Sequence, residues 1–130
     1  MKRIIFIFIF ILTQTFNLKS EDFKLNKVIT GLDSPWSFTF TNENEILITE
    51  KSGKILLINL RGNIVKVINH NLKILEDGQG GLLEILHHDK MIFVSYSENR
   101  GDGRSSTSVA SANFDYENLK FKNIFRAEPP

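Results

Sequence analysis

The sequence has no cysteine. This excludes a disulfide framework, thiol catalysis and thiolate-ligated metal, so an exported domain of this size must rely on its apolar core. The surplus of positive charge is a single unit: 16 lysine and arginine residues stand against 15 aspartate and glutamate residues. That leaves no electrostatic footprint for nucleic acid and no polybasic patch for a membrane surface. The N-terminal apolar run, Ile4 to Leu12, covers nine residues, well short of the roughly 20 that a spanning helix needs. No segment of ten or more residues shows capped helical periodicity.

What is present begins with Lys2 and Arg3, then that apolar run, then polar residues. This is the layout of a secretory signal peptide, and it predicts an exported protein, periplasmic or secreted. Cleavage after Ser20 divides the chain into a leader, residues 1–20, and a folded part, residues 21–130. The leader takes three cations with it and leaves 13 cationic and 15 acidic residues.

The folded part reads as strands and turns. Residues 36–40, WSFTF, place Trp36, Phe38 and Phe40 on one face and Ser37 and Thr39 on the other, the period of a half-buried strand. The aromatic face is expected to be core. EILIT (45–49), KILLIN (54–59) and IVKVI (64–68) follow, separated by Asn-Glu-Asn, Ser-Gly and Arg-Gly-Asn turns. This spacing predicts an antiparallel meander. EILIT and KILLIN are apolar on both faces, as in a strand packed from two sides. GLLEILHH (81–88) and MIFVSYS (91–97) read as two strands joined by a tight turn, and ENRGDGRSS (98–106) reads as a solvated loop. TSVASANFD (107–115) and LKFKNIF (119–125) alternate again, before an extended RAEPP end. Four strands in about 40 to 45 residues is the size of one propeller blade. Residues 28–68 fit one blade and residues 81–125 most of a second, although composition alone does not separate a propeller from a sandwich.

Within this frame few residues carry chemistry. Gln79 stands among Gly78, Gly80 and Gly81. Its amide both donates and accepts hydrogen bonds, and the glycines allow close backbone approach to a ligand; a solvated turn glutamine is the competing reading. His87 and His88 are neighbours on a strand, so they point to opposite faces and cannot chelate together. His70 sits in a polar loop with nothing to mark it. Glu76, Asp77, Asp89 and Asp102 lack the spacing of a calcium loop. Glu50-Lys51 reads as an ion pair or turn feature.

Four stretches, taken in order, resemble the soluble quinoprotein aldose dehydrogenases, the glucose/sorbosone dehydrogenase family: GLDSPWSFTFTNENEILITEKSGKILLI (31–58), GQGGLLEILHHD (78–89), MIFVSYS (91–97) and IFRAEPP (124–130). The resemblance implies an all-β fold, about two four-stranded blades of a six-bladed propeller. It also implies pyrroloquinoline quinone (PQQ) and calcium as cofactors, an electron acceptor, and oxidation of an aldose at C1 to a lactone. Gln79 matches the family's Gly-Gln-x-Gly-Leu-Leu glutamine, which contacts the sugar. The family's general-base histidine belongs to a His-x-Gly-x-Arg-type motif that falls past Pro130, and its PQQ and calcium ligands lie further on. The resemblance therefore implies an N-terminal fragment that is inactive alone, with no catalytic residue, no metal ligand and no assignable cofactor contact of its own. A non-catalytic secreted β-sheet module that holds a glycan on the Gln79 loop is the alternative. A metal-dependent propeller lactonase or an inert scaffold are the others.

Overall fold

The computed structural model describes residues 23–130; the expected leader lies outside them. Nine strands form two sheets: β1 (Pro35–Asn42), β2 (Glu45–Glu50), β3 (Ile55–Asn59), β4 (Ile64–His70), β5 (Leu82–His88), β6 (Met91–Gly101), β7 (Arg104–Asn113), β8 (Asn118–Leu119) and β9 (Lys122–Arg126). The first sheet runs β1-β2-β3-β4-β8 and the second β5-β6-β7-β9. All pairings are antiparallel except β4 with β8. Among the described residues no helix is long and apolar enough to cross a membrane.

Strands β2 and β3 are buried on both faces, as their composition predicts. Leu47, Ile55 and Leu57 join Ile85, Ile92, Val94 and Ala110 in the core between the sheets. Ile46, Ile48, Leu56 and Ile58 form a second core on the far face, covered by Ile29 and Leu32 of the segment that precedes β1. Glu50, only 3 % exposed, fixes that segment by accepting the Asp33 N–H at 2.7 Å. Its other carboxylate oxygen lies 3.1 Å from Lys54 Nζ but outside hydrogen-bond alignment. Glu50 thus pairs with Lys54, while the neighbouring Lys51 reaches elsewhere.

The alternation of β1 is present, but its faces are reversed from expectation. Trp36, Phe38 and Phe40 are 46, 60 and 55 % exposed, whereas Thr39 is buried. The inward side of β1 meets β5 through hydrogen bonds, which need small polar side chains. Thr49 Oγ1 on β2 donates to the Leu83 carbonyl at 2.6 Å, Thr39 Oγ1 accepts the His87 N–H at 3.0 Å, and Ser37 Oγ bonds Glu84. The aromatic side forms the margin of the second core. Across the molecule, Leu86 and Phe125 are exposed on the second sheet.

Two further departures concern the end of the chain. The span 119–125 is not one strand. Asn118 and Leu119 cross to the first sheet and lie parallel to Asn69 and His70, which gives that sheet a fifth strand. Asn71 makes this possible: its side chain accepts the Phe121 N–H at 2.8 Å and donates to the Phe121 carbonyl at 3.1 Å. It substitutes for a ladder partner while Leu119 and Phe121 enter the core. The span 98–106 is not a solvated loop either, because β6 and β7 pair up to Gly101↔Arg104.

Replacing Thr49 by Val would remove the hydroxyl and leave the Leu83 carbonyl without its partner. A loss of about 1–3 kcal/mol in denaturant unfolding is expected, against less than about 1 kcal/mol for the half-exposed Phe40→Ser. Equal losses for the two variants would argue against hydrogen bonding as what joins the sheets.

Candidate functional site

One end of the two sheets gathers the starts of β1 and β5, the β2–β3 turn and the later half of β6, and Gln79 lies there. Segment 73–75 runs beside β6, in line with β5. The Asn99 N–H donates to the Lys73 carbonyl at 2.8 Å and the Leu75 N–H to the Ser97 carbonyl at 2.9 Å. The chain then leaves this line as a short loop and returns at Gly81, whose carbonyl accepts the Ser97 N–H at 2.8 Å. The two backbone groups of Ser97 therefore close the base of the loop from both sides.

Inside the loop the Gly80 N–H donates to the Asp77 carbonyl at 2.7 Å, and Gly78 takes a φ of 51°, a region that glycine enters without cost. The later glycines answer to space. A Cβ on Gly80 would stand 2.7 Å from Ser97 Oγ, and one on Gly81 would stand 2.5 Å from the Lys51 carbonyl. The backbone is thus pressed against β6 on one side and the β2–β3 turn on the other. Lys51 adds three bonds. Its N–H donates to the Ser34 carbonyl at 3.1 Å and its carbonyl accepts the Leu82 N–H at 3.0 Å; its Nζ donates to the Gly78 carbonyl at 2.7 Å. Gln79, at the tip, is exposed.

The histidines are structural. His70 Nδ1 accepts the Leu72 N–H at 3.2 Å and its Nε2 lies 2.6 Å from the Gly53 carbonyl. This pattern places the ring proton on Nε2 and leaves no nitrogen for a substrate. His87 Nδ1 contacts the Phe40 carbonyl at 3.1 Å and its ring packs on Phe114. His88 is exposed beside Asp89 at the opposite end of the sheet. Asp89 and Asp102 occupy tight turns at positive φ, and Glu76 and Asp77 are exposed on the Gln79 loop. Among the described residues no three acidic, histidine or cysteine side chains gather as metal ligands.

The most elaborate polar cluster was not singled out by sequence reasoning. Glu98, 8 % exposed, accepts two bonds from Arg126, each 2.6 Å. It also accepts from Ser108 Oγ at 2.7 Å and Asn123 Nδ2 at 3.0 Å. The Tyr96 hydroxyl donates to Asn123 Oδ1 at 2.7 Å. Arg100, next to this group, pairs with Glu128 at 2.6 Å. The Arg126 bonds hold the Glu98 carboxyl below the ordinary glutamate value, with burial opposing and Ser108 assisting. Burial raises the Tyr96 phenol, and the bond to Asn123 opposes it. The available signal was phase: Glu98 continues the inward series Ile92, Val94, Tyr96. These bonds tie β9 to β6 across β7, while the Arg126 side chain stays 45 % exposed and lines a surface depression with Lys73, Glu98 and Arg100.

A carboxyl held below its unfolded value contributes stability above that value, and the contribution disappears as pH falls through the folded one. Glu98→Gln is therefore expected to lower the melting temperature near neutral pH and to flatten its decline below about pH 5. An unchanged acid profile would show that the pair is not coupled to folding.

The family profile described as Glucose / Sorbosone dehydrogenase matches residues 32–130. The aldose sugar dehydrogenase YliI of Escherichia coli (strain K12) is 28 % identical over 107 residues, covering 75 % of this chain and 29 % of that protein. A crystal structure of glucose dehydrogenase superposes with a TM-score of 0.70 at 31 % identity, covering 76 % of this chain and 31 % of that one. The PQQ-bound aldose sugar dehydrogenase of Streptomyces coelicolor superposes with a TM-score of 0.68 at 20 % identity, over 81 % of this chain and 34 % of that one; at that identity the likeness speaks for the fold. The chain spans less than a third of the length of the E. coli relative.

Proposed function

We propose, from the premise that this chain belongs to the glucose/sorbosone dehydrogenase family, that it carries the sugar-contacting rim of a quinoprotein oxidoreductase. The reaction is oxidation of the C1 hydroxyl of an aldose to a lactone, with hydride passing to PQQ and electrons then to an acceptor. Gln79 is the sugar contact. The observation that carries this reading is the Gln79 turn itself: an exposed amide held on a loop clamped by two sheets. Such a group offers a donor and an acceptor to a sugar hydroxyl at small entropic cost.

The two sheets correspond to adjacent blades of a six-bladed propeller. Both end in apolar side chains left outside the shared core, Phe38 and Phe40 on one and Leu86 and Phe125 on the other, as blades awaiting neighbours would. Residues 1–20 act as an export leader to a periplasmic or secreted location.

No PQQ contact is assigned to the described residues. PQQ is a polyanion, and Lys51, Arg100 and Arg126 are each engaged by a partner within the chain. Calcium finds no ligand group among them. None of the three histidines is placed as a base. The contribution of these residues is accordingly to bind and orient the sugar, and no redox step is assigned to them.

Gln79→Ala is expected to weaken D-glucose binding to the 130-residue chain about 3- to 10-fold, the worth of one lost neutral hydrogen bond, by titration calorimetry. Equal affinities would remove Gln79 from the site. With PQQ and calcium supplied, the same chain is expected to reduce no dye acceptor above the blank. Glucose-dependent reduction would mean that one of its own histidines acts as the base.

A further inference from the structure

We infer that Lys51 is the positioning residue of the sugar-contacting turn, a role that rests on the assignment of Gln79 to the sugar. The backbone of Lys51 serves the meeting of the sheets, through Ser34 and Leu82, and any residue except proline would supply those bonds. Its side chain is different. The ammonium crosses from the β2–β3 turn of the first sheet to the Gly78 carbonyl, 2.7 Å away.

That carbonyl belongs to the peptide unit joining Gly78 to Gln79. Fixing its plane fixes the direction in which the chain enters Gln79. The other restraints act elsewhere: Ser97 and the Lys51–Leu82 bond close the base of the loop, and the Asp77–Gly80 bond spans the turn without reaching the first sheet. Gly78, at a φ of 51°, supplies the freedom that such a restraint must remove. A bond from a charged donor is also the stronger kind. Lys51 touches no ligand in this arrangement and acts through Gln79.

The test is 15N NMR of the 130-residue chain as wild type, Lys51→Met, Lys51→Arg and Gln79→Ala. Methionine keeps an unbranched stem without charge or donor, and arginine restores both. Lys51→Met is expected to lower the heteronuclear NOE of the 78–80 amides while leaving those of Leu82 and Ser97 unchanged. It is also expected to weaken D-glucose binding by up to the roughly 3- to 10-fold loss expected of Gln79→Ala, because Lys51 acts through that residue. Lys51→Arg is expected to recover most of both. Unchanged turn order in Lys51→Met, or equal loss in the arginine variant, overturns the inference. If Gln79→Ala leaves glucose binding intact, or the wild type does not bind glucose, the sugar assignment fails. The NOE comparison then still decides whether Lys51 orders the turn.

Discussion

The buried hydroxyl of Thr49 is the constraint on which the arrangement depends. It leaves its own sheet to bond the Leu83 carbonyl of the other, and Thr39 repeats the device with His87. Apolar packing is non-directional and would allow the two sheets to slide. Hydrogen bonds from one sheet to the main chain of the other set a register between them. Because β1 and β5 are joined in this way, the β2–β3 turn comes to lie against the start of β5, and Lys51 meets the Gln79 loop.

The loop shows how a flexible sequence becomes a fixed feature. Three glycines suggest mobility, yet two of them are glycine because a side chain would collide with Ser97 or with the Lys51 backbone. Their smallness permits contact with both sheets, and contact removes the freedom. The exposed glutamine is thus carried on backbone held by residues distant in sequence. A sugar-binding group needs this, since a hydrogen bond made by a wandering side chain loses much of its value to ordering.

The Glu98 cluster does comparable work at the outer strands. A buried carboxylate without partners would destabilise the fold, but here four donors from Arg126, Ser108 and Asn123 surround it. The arrangement secures β9, an exposed edge strand with a fully exposed burial pattern. Such a strand has little apolar contact of its own, so these polar bonds to β6 reinforce its main-chain ladder with β7.

Period-two patterning and Gly-Asn punctuation are local properties, so β1 to β7, their antiparallel pairing within each sheet and the position of the Gln79 turn were legible in the sequence. The sequence also determined that β2 and β3 are covered on both sides, and that neighbouring His87 and His88 do not act together. The tertiary structure alone decided which side of β1 faces inward, since alternation marks two faces without saying which one is covered. It alone decided that Leu119 crosses to the first sheet, that Glu98 is buried rather than solvated, and that Lys51 serves Gly78 rather than Glu50. In each case the deciding partner lies far along the chain, 27 residues away for Lys51 and 50 for Asn71, and no local pattern records a contact made across that distance.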